Sequence, residues 1–374
     1  MKGYFIPFGA RSILSVDKKI NMQIRQLSAI GDVEEVDVKI AKKGMLRYAL
    51  SVLPFMSLPW DYTEAYEKIE DPDYLFIRRS GADGSYIKFL RYIKRKYPNC
   101  KILCEIATYP YIGEMLRDFR GWLLIFKELY NQIYLKRYVD SFITYSSDDR
   151  ILGVQTIRIM NGVEVASVKA VSDRDIDIET INMVAVAMMQ KSHGYERVIR
   201  GLKKYYDDGG RRKIVLYMVG EGKEKVTYQK LVRELHLESS VVFCGKMMGK
   251  ELDLIYEKAD LALSIFGAYK AGIKTSSALK TREYLAKGLP IVSGCSEDAC
   301  SGRQFKYYLE YPNNSEDVDI TRLVEFYDTI YTKDNKREVV EEIRKYAYEV
   351  VDMKKTMAPV VKYITESNSK GIEK

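Results

Sequence analysis

The stretch Thr275–Gly294, Thr-Ser-Ser-Ala-Leu-Lys-Thr-Arg-Glu-Tyr-Leu-Ala-Lys-Gly-Leu-Pro-Ile-Val-Ser-Gly, limits what this chain can fold into more than any other. Two hydroxyl residues suited to capping lead into a run of good helix formers, and Gly288 with Pro290 just beyond supplies the stop. Ala259–Ile265 before it and Leu289–Ser293 after it are short apolar runs of the kind that buried strands carry. A strand, a helix and a second strand in that order need a parallel crossover, so the segment predicts an α/β fold.

In such a unit the helix amino terminus faces the crevice at the carboxyl ends of the strands, where free amides and the helix dipole favour phosphate. Ser276, Ser277 and Lys280 stand at that terminus, and Glu283 lies one turn on, sharing a face with Leu279 and Lys280. A carboxylate beside a phosphate site repels the phosphate, so its natural partner is a vicinal diol such as ribose. The outline is that of a nucleotide site.

The run Leu279-Lys280, Arg282-Glu283-Tyr284-Leu285-Ala286, Gly288-Leu289-Pro290 resembles the donor-binding segment of glycosyltransferases with the GT-B fold, in particular the retaining family 4 enzymes of bacterial capsular and exopolysaccharide synthesis. The resemblance implies two doubly wound Rossmann-like domains facing across a cleft, the second holding a nucleotide-diphosphate sugar and the first admitting the acceptor. In that family two glutamates separated by seven residues touch the sugar and the ribose. Glu283 matches the second, whereas Thr275 stands at the position of the first. The resemblance is to this fold and not to the other major transferase fold, which binds its metal through Asp-x-Asp, so it implies neither metal nor cofactor beyond the sugar nucleotide.

At 374 residues and 47% hydrophobic content the chain has material for two cores. Its five cysteines lack metal-ligand spacing, and no leader is recognisable, which fits a reduced cytoplasm, with the inner face of the plasma membrane as a further location. The formal charge of +8 suits nucleic acid, an anionic lipid or an anionic substrate, and composition does not choose among them. Given the resemblance, no nucleic-acid partner is expected. Thirty tyrosines suit sugar faces and membrane interfaces alike.

Along the first half, residues 3–8 predict a strand, 9–12 a turn and 17–30 a helix opened by Lys18 and Lys19, which suit an anionic ligand or a solvated face; Gly9 and Lys18 are assigned to the acceptor cleft of the first domain. Strands are predicted over 33–40, 74–77, 101–106, 140–146 and 156–160, and a basic amphipathic helix over 85–97. The segment Thr108-Tyr109-Pro110-Tyr111 is similar to one in capsular polysaccharide transferases; Tyr109 and Tyr111 are assigned to stacking on sugar and Glu114 to base or acceptor-hydroxyl chemistry. Residues 115–138 interleave apolar and aromatic side chains with Arg and Lys, the composition of a helix lying on an anionic membrane.

Asn161-Gly162 resembles the passage into the second domain, so the domains are placed at 1–165, joined by a returning helix over 352–374, and at 166–351. Strands are predicted over 181–189, 213–219 and 241–244, with helices over 249–258, 318–331, 336–351 and 353–366. The catalytic candidates are His193, Glu114 and Thr275. The donor nucleotide and phosphate are assigned to Gly194, Arg197, Gly220, Gly222, Gly245, Lys246, Ser276, Ser277, Leu279, Lys280 and Glu283. The expected function is sugar transfer from a nucleotide sugar to a saccharide or a polyprenyl-diphosphate-linked acceptor. A noncatalytic scaffold of the same fold, supported by Thr275, and a nucleotide-sugar epimerase are the alternatives.

Overall fold

Continuous apolar runs without polar alternation form parallel strands buried on both faces, and two such sheets organise the chain. The computed structural model describes residues 1–12, 14–40, 60–78, 81–107, 109, 119–173, 176–331 and 335–366. Contacts divide the chain into Met1–Met160 with Thr356–Lys374, and Asn161–Lys355.

In the amino-terminal unit the strands are β1 (Lys2–Ile6), β2 (Asp32–Glu35), β3 (Tyr74–Arg78), β4 (Lys101–Ile106), β5 (Ser141–Thr144) and β6 (Val154–Arg158). Their order is β2-β1-β3-β4-β5-β6, all parallel, with Arg150–Ile151 antiparallel on the β6 edge. Helix α1 (Leu14–Ser28) follows β1, and α2 (Gly84–Lys96) follows β3, started by the Asp83 carboxylate, which accepts from the Tyr86 amide. Helix α3 spans Phe119–Leu135. The strand expected over 33–40 is shorter. Its far end, Lys39–Ile40, turns away and pairs antiparallel with Trp60–Asp61.

The carboxy-terminal unit contains β7 (Thr180–Val186), β8 (Lys213–Val219), β9 (Val241–Gly245), β10 (Leu261–Leu263), β11 (Ile291–Ser293) and β12 (Tyr308–Glu310). All are parallel, in the order β9-β8-β7-β10-β11-β12. Numbered within the unit this is 3-2-1-4-5-6, the doubly wound dinucleotide-binding arrangement, whose connections change direction between β7 and β10. Helices α4 (Glu196–Asp207), α5 (Lys225–Glu234), α6 (Lys250–Lys258), α7 (Leu279–Lys287), α8 (Ile320–Ile330) and α9 (Lys336–Val350) complete it. The last helix, α10 (Met353–Thr365), runs back to the first unit, where the Lys101 ammonium donates to the carbonyls of Tyr363 and Ile364 at 2.8 and 3.0 Å. The expected pair of doubly wound α/β domains is the architecture of the chain.

Candidate donor site at the switch point of the second sheet

Helix α7 ends at Gly288 as its sequence predicts, with φ at +83°, a left-handed conformation that glycine adopts without strain. Its start differs from expectation. The N-cap is Ala278, without a side-chain cap, and Thr275–Ser276 form a two-residue strand paired with Ser296–Glu297. The strand pairing takes Ser276 away from the helix end, and a buried neighbour engages Ser277. Arg282, with no exposed surface, donates to the Asn161 carbonyl at 2.9 Å, to Ser277 Oγ at 3.2 Å and to the Asp298 carboxylate. Asn161 in turn donates to the Ser277 carbonyl at 2.7 Å, which ties the helix start to the chain entering the unit.

The amino end of α7 lies where the strand order reverses. Tyr284 on α7 accepts from the amide of Val186, the last residue of β7. Lys280, one turn earlier, donates to the carbonyl of Ser264, the residue after β10, at 2.7 Å. The loops leaving these two strands touch at glycine. A Cβ on Gly194 would lie 2.3 Å from the Gly267 nitrogen and 2.5 Å from the Phe266 carbonyl carbon, and Gly194 has φ at +62°. Only glycine allows that approach.

Around Lys280 the site is a compact polar cluster. Its ammonium also donates to the Tyr195 hydroxyl at 2.7 Å, and Tyr195 donates to the same Ser264 carbonyl at 3.1 Å. Burial pushes the ammonium down to about 7, with Glu297 opposing. Glu297, fully buried, is pushed up to about 7 by its burial, with Arg282 opposing; its Oε1 accepts from Ser264. Its Oε2 has no hydrogen-bond partner among the described residues. His193 accepts from the Gln190 amide through Nδ1 at 3.1 Å, which leaves Nε2 as the donor in the neutral ring. Burial, and then the charge of Lys280, hold its pKa down at about 3, so it is a neutral hydrogen-bond donor at pH 7.

Of the residues assigned from sequence, His193, Gly194, Leu279 and Lys280 gather at this switch point, with Glu283 one turn along α7. Glu283 is half-buried, and its Oε1 accepts from the Tyr256 hydroxyl at 3.2 Å. Arg197 is turned elsewhere. Its buried guanidinium donates to the carbonyls of Phe266, Pro312 and Glu316, so it braces loops. Ser276 is buried and Thr275 exposed. Gly220 and Gly222 serve close packing: a Cβ would fall 1.9 Å from the Ala187 carbonyl oxygen and 2.2 Å from that of Met189. Gly245, at the end of β9, has φ at +70°, and Lys246 after it is exposed. Tyr195, Ser264 and Glu297 were not singled out from sequence. Ser264 had one signal, a polar residue closing an apolar strand run.

In the amino-terminal unit Gly9 is left-handed at φ +68° and Lys18 is exposed. Tyr109 is half-buried against the core of that unit. Tyr111 and Glu114 lie outside the described residues. Among the described residues no group of three or more His, Cys, Asp or Glu is placed to hold a metal ion, and no helix is long and apolar enough to cross a membrane.

With this geometry in view, comparison defines the class. Residues 173–297 match the family model of glycosyl transferases group 1. Solved structures share the fold over nearly the whole chain. The glycosyltransferase from Rickettsia africae ESF-5 has 13% identity and a TM-score of 0.62 over 98% of this chain and 99% of that one. Anabaena Alr3699/HepE in complex with UDP has 11% identity and a TM-score of 0.64 over 98% and 100%. Sucrose-phosphate synthase from Thermosynechococcus elongatus has 13% identity and a TM-score of 0.63 over 97% and 99%. No curated protein matches by sequence. The chain carries a glycosyltransferase group 1 domain within a two-domain GT-B fold, and its class is that of the glycosyltransferase enzymes.

Proposed function

We propose that this protein transfers a sugar from a nucleotide-diphosphate sugar to a saccharide or lipid-linked saccharide acceptor in surface polysaccharide synthesis, with retention of anomeric configuration. The observation that carries the donor half is the placement of Lys280 and the amino end of α7 at the carboxyl ends of β7 and β10. Departure of a nucleoside diphosphate develops negative charge, and a helix terminus with a buried ammonium is suited to stabilise it. In this reading Lys280 shifts from Ser264 and Tyr195 to the diphosphate, Glu283 exchanges Tyr256 for the ribose hydroxyls, and neutral His193 donates Nε2–H to the sugar. Charge neutralisation is assigned to these groups, so transfer is expected to survive EDTA.

The acceptor half rests on less direct support. Phe126, Leu129, Tyr130 and Ile133 of α3 are 60, 45, 53 and 56% exposed. Their spacing puts them on one face, and Lys136 and Arg137 follow immediately. An apolar stripe with a basic end suits an anionic membrane, where a lipid-linked acceptor would be found and where the protein would sit on the cytoplasmic side. A noncatalytic scaffold remains the second reading, favoured by exposed Thr275 at the position of a sugar-contacting glutamate.

The test is slow donor hydrolysis across a panel of UDP- and GDP-sugars. Release of free sugar from one donor supports the transferase, an isomerised donor an epimerase, and no turnover of any donor the scaffold.

A further inference from the structure

The amino-terminal sheet holds a charged cluster that the donor site does not use. Glu105, next to last in β4, has no exposed surface. Its Oε1 accepts from the Lys19 ammonium at 2.8 Å and from the Tyr145 hydroxyl, and its Oε2 accepts from Arg78 Nη1 at 3.0 Å. Burial acts to raise its pKa, yet Lys19 and then Arg78 outweigh that and hold it at about 2, so it is a carboxylate at every working pH.

The position is the one where an open parallel sheet receives ligands. Arg78 is the last residue of β3, Glu105 is near the end of adjacent β4, and Tyr145 directly follows β5, the next strand. The cluster therefore lies at the carboxyl ends of three neighbouring strands.

Arg78 is more exposed than the two charged groups it is paired with. Its side chain is 13% exposed, against 5% for Lys19 and none for Glu105. Among the described residues its hydrogen bond through Nη1 to Glu105 is the only one it makes, and it shares that carboxylate with Lys19. Among the described residues no group accepts from Nε or Nη2, so both nitrogens are offered to a further acceptor. An arginine held by one nitrogen and open on the others is suited to paired hydrogen bonds with an oxyanion. Gln23 on α1, whose amide nitrogen lies 3.3 Å from Glu105, has a buried Oε1 with no donor among the described residues. This provides an acceptor for a hydroxyl of the same ligand or for a bridging water.

We propose that Arg78, braced by Glu105 and Lys19, binds an oxyanion at the carboxyl edge of the amino-terminal sheet, and that this oxyanion is an acidic substituent on the sugar acceptor. The subsite stands on its own geometry; its assignment to the acceptor rests on the transferase reading. Phosphate esters and sugar carboxylates share the required chemistry.

The experiment is calorimetric titration of the full chain, its donor site saturated with whichever of UDP and GDP binds, with inorganic phosphate in one arm and glucuronate in the other. The wild type is expected to bind at least one probe, and Arg78→Gln to weaken that binding at least tenfold. Phosphate binding alone points to an ester, glucuronate binding alone to an acidic sugar, and both results support the subsite. Arg78→Gln keeps the Lys19–Glu105 pair; Arg78→Lys, which keeps the charge and loses the fork, serves as a second variant and is expected to lose an intermediate amount. Binding of neither probe to the wild type, or equal binding by the wild type and both variants, overturns the proposal. The nucleotide titrations are read separately. If neither UDP nor GDP binds, the transferase reading fails, while the comparison of Arg78 variants still decides the oxyanion subsite.

Discussion

Burial holds the Lys280 ammonium near pKa 7 in the unliganded protein, so it is charged below that pH and increasingly neutral above it. A diphosphate stabilises the charged form. Nucleotide affinity should therefore be full below about pH 7 and fall as the pH rises through it, with proton uptake on binding. Calorimetry in buffers of different ionisation enthalpy measures both. Lys280→Met should weaken nucleotide binding by about 1.5–3 kcal/mol, roughly ten- to a hundredfold, and remove this pH dependence. Affinity independent of pH between 6 and 8.5 in the wild type would assign the phosphate to other groups. At this scale the sequence is readable where a residue's position follows from local geometry. Lys280 and Glu283 are placed by helical spacing alone. The bracing contacts of Arg197 are not legible locally, because its acceptors, the carbonyls of Phe266, Pro312 and Glu316, are distant in sequence. Glu105 was missed for the same reason, since Lys19 lies 86 positions from it.

The elements themselves were largely legible, because apolar runs and stop signals are local. Lys101–Ile106 and Lys213–Val219 form strands over the ranges their apolar character predicts. Helix α7 stops at Gly288 for the reason its sequence gives. Its start was misread because Ser276 and Ser277 have the chemistry of caps, while Arg282 and Asn161 claim Ser277 and a strand pairing claims Ser276. The glycines were recognised as special for a different reason from the one the structure supplies: Gly194 and Gly220 permit loop-to-loop contact. Gly194→Ala should strain a left-handed backbone by about 1–3 kcal/mol and also force apart the two loops at the switch point. Thermal melting should fall by several degrees, with nucleotide affinity reduced further. An alanine variant of unchanged melting temperature would show that the loops can separate without cost. Helix α3 presents a second test. Replacing both Phe126 and Ile133 with Asp should abolish association with vesicles containing anionic lipid and leave nucleotide binding intact. Sedimentation with such vesicles reads it, and retained association would remove the membrane surface from the account.

For the whole molecule, alternating strands and helices pointed to doubly wound sheets, but the strand order could not be read from the chain. The order 3-2-1-4-5-6 in the second unit arises from long-range pairing, β7 with β10 above all, and that pairing creates the crevice occupied by Lys280. The resemblance in residues 279–290 could be recognised because those residues are contiguous; the family model covers residues 173–297, which include the switch-point loops and α7. The central claim is that this crevice holds a nucleotide by its diphosphate and ribose. Its most direct test is equilibrium titration of UDP and GDP into the full chain, wild type and Glu283→Gln. One nucleotide should bind, and Glu283→Gln should weaken it at least tenfold while leaving inorganic pyrophosphate binding unchanged. Failure of both nucleotides to bind the wild type, or equal nucleotide affinity in the two proteins, would contradict it.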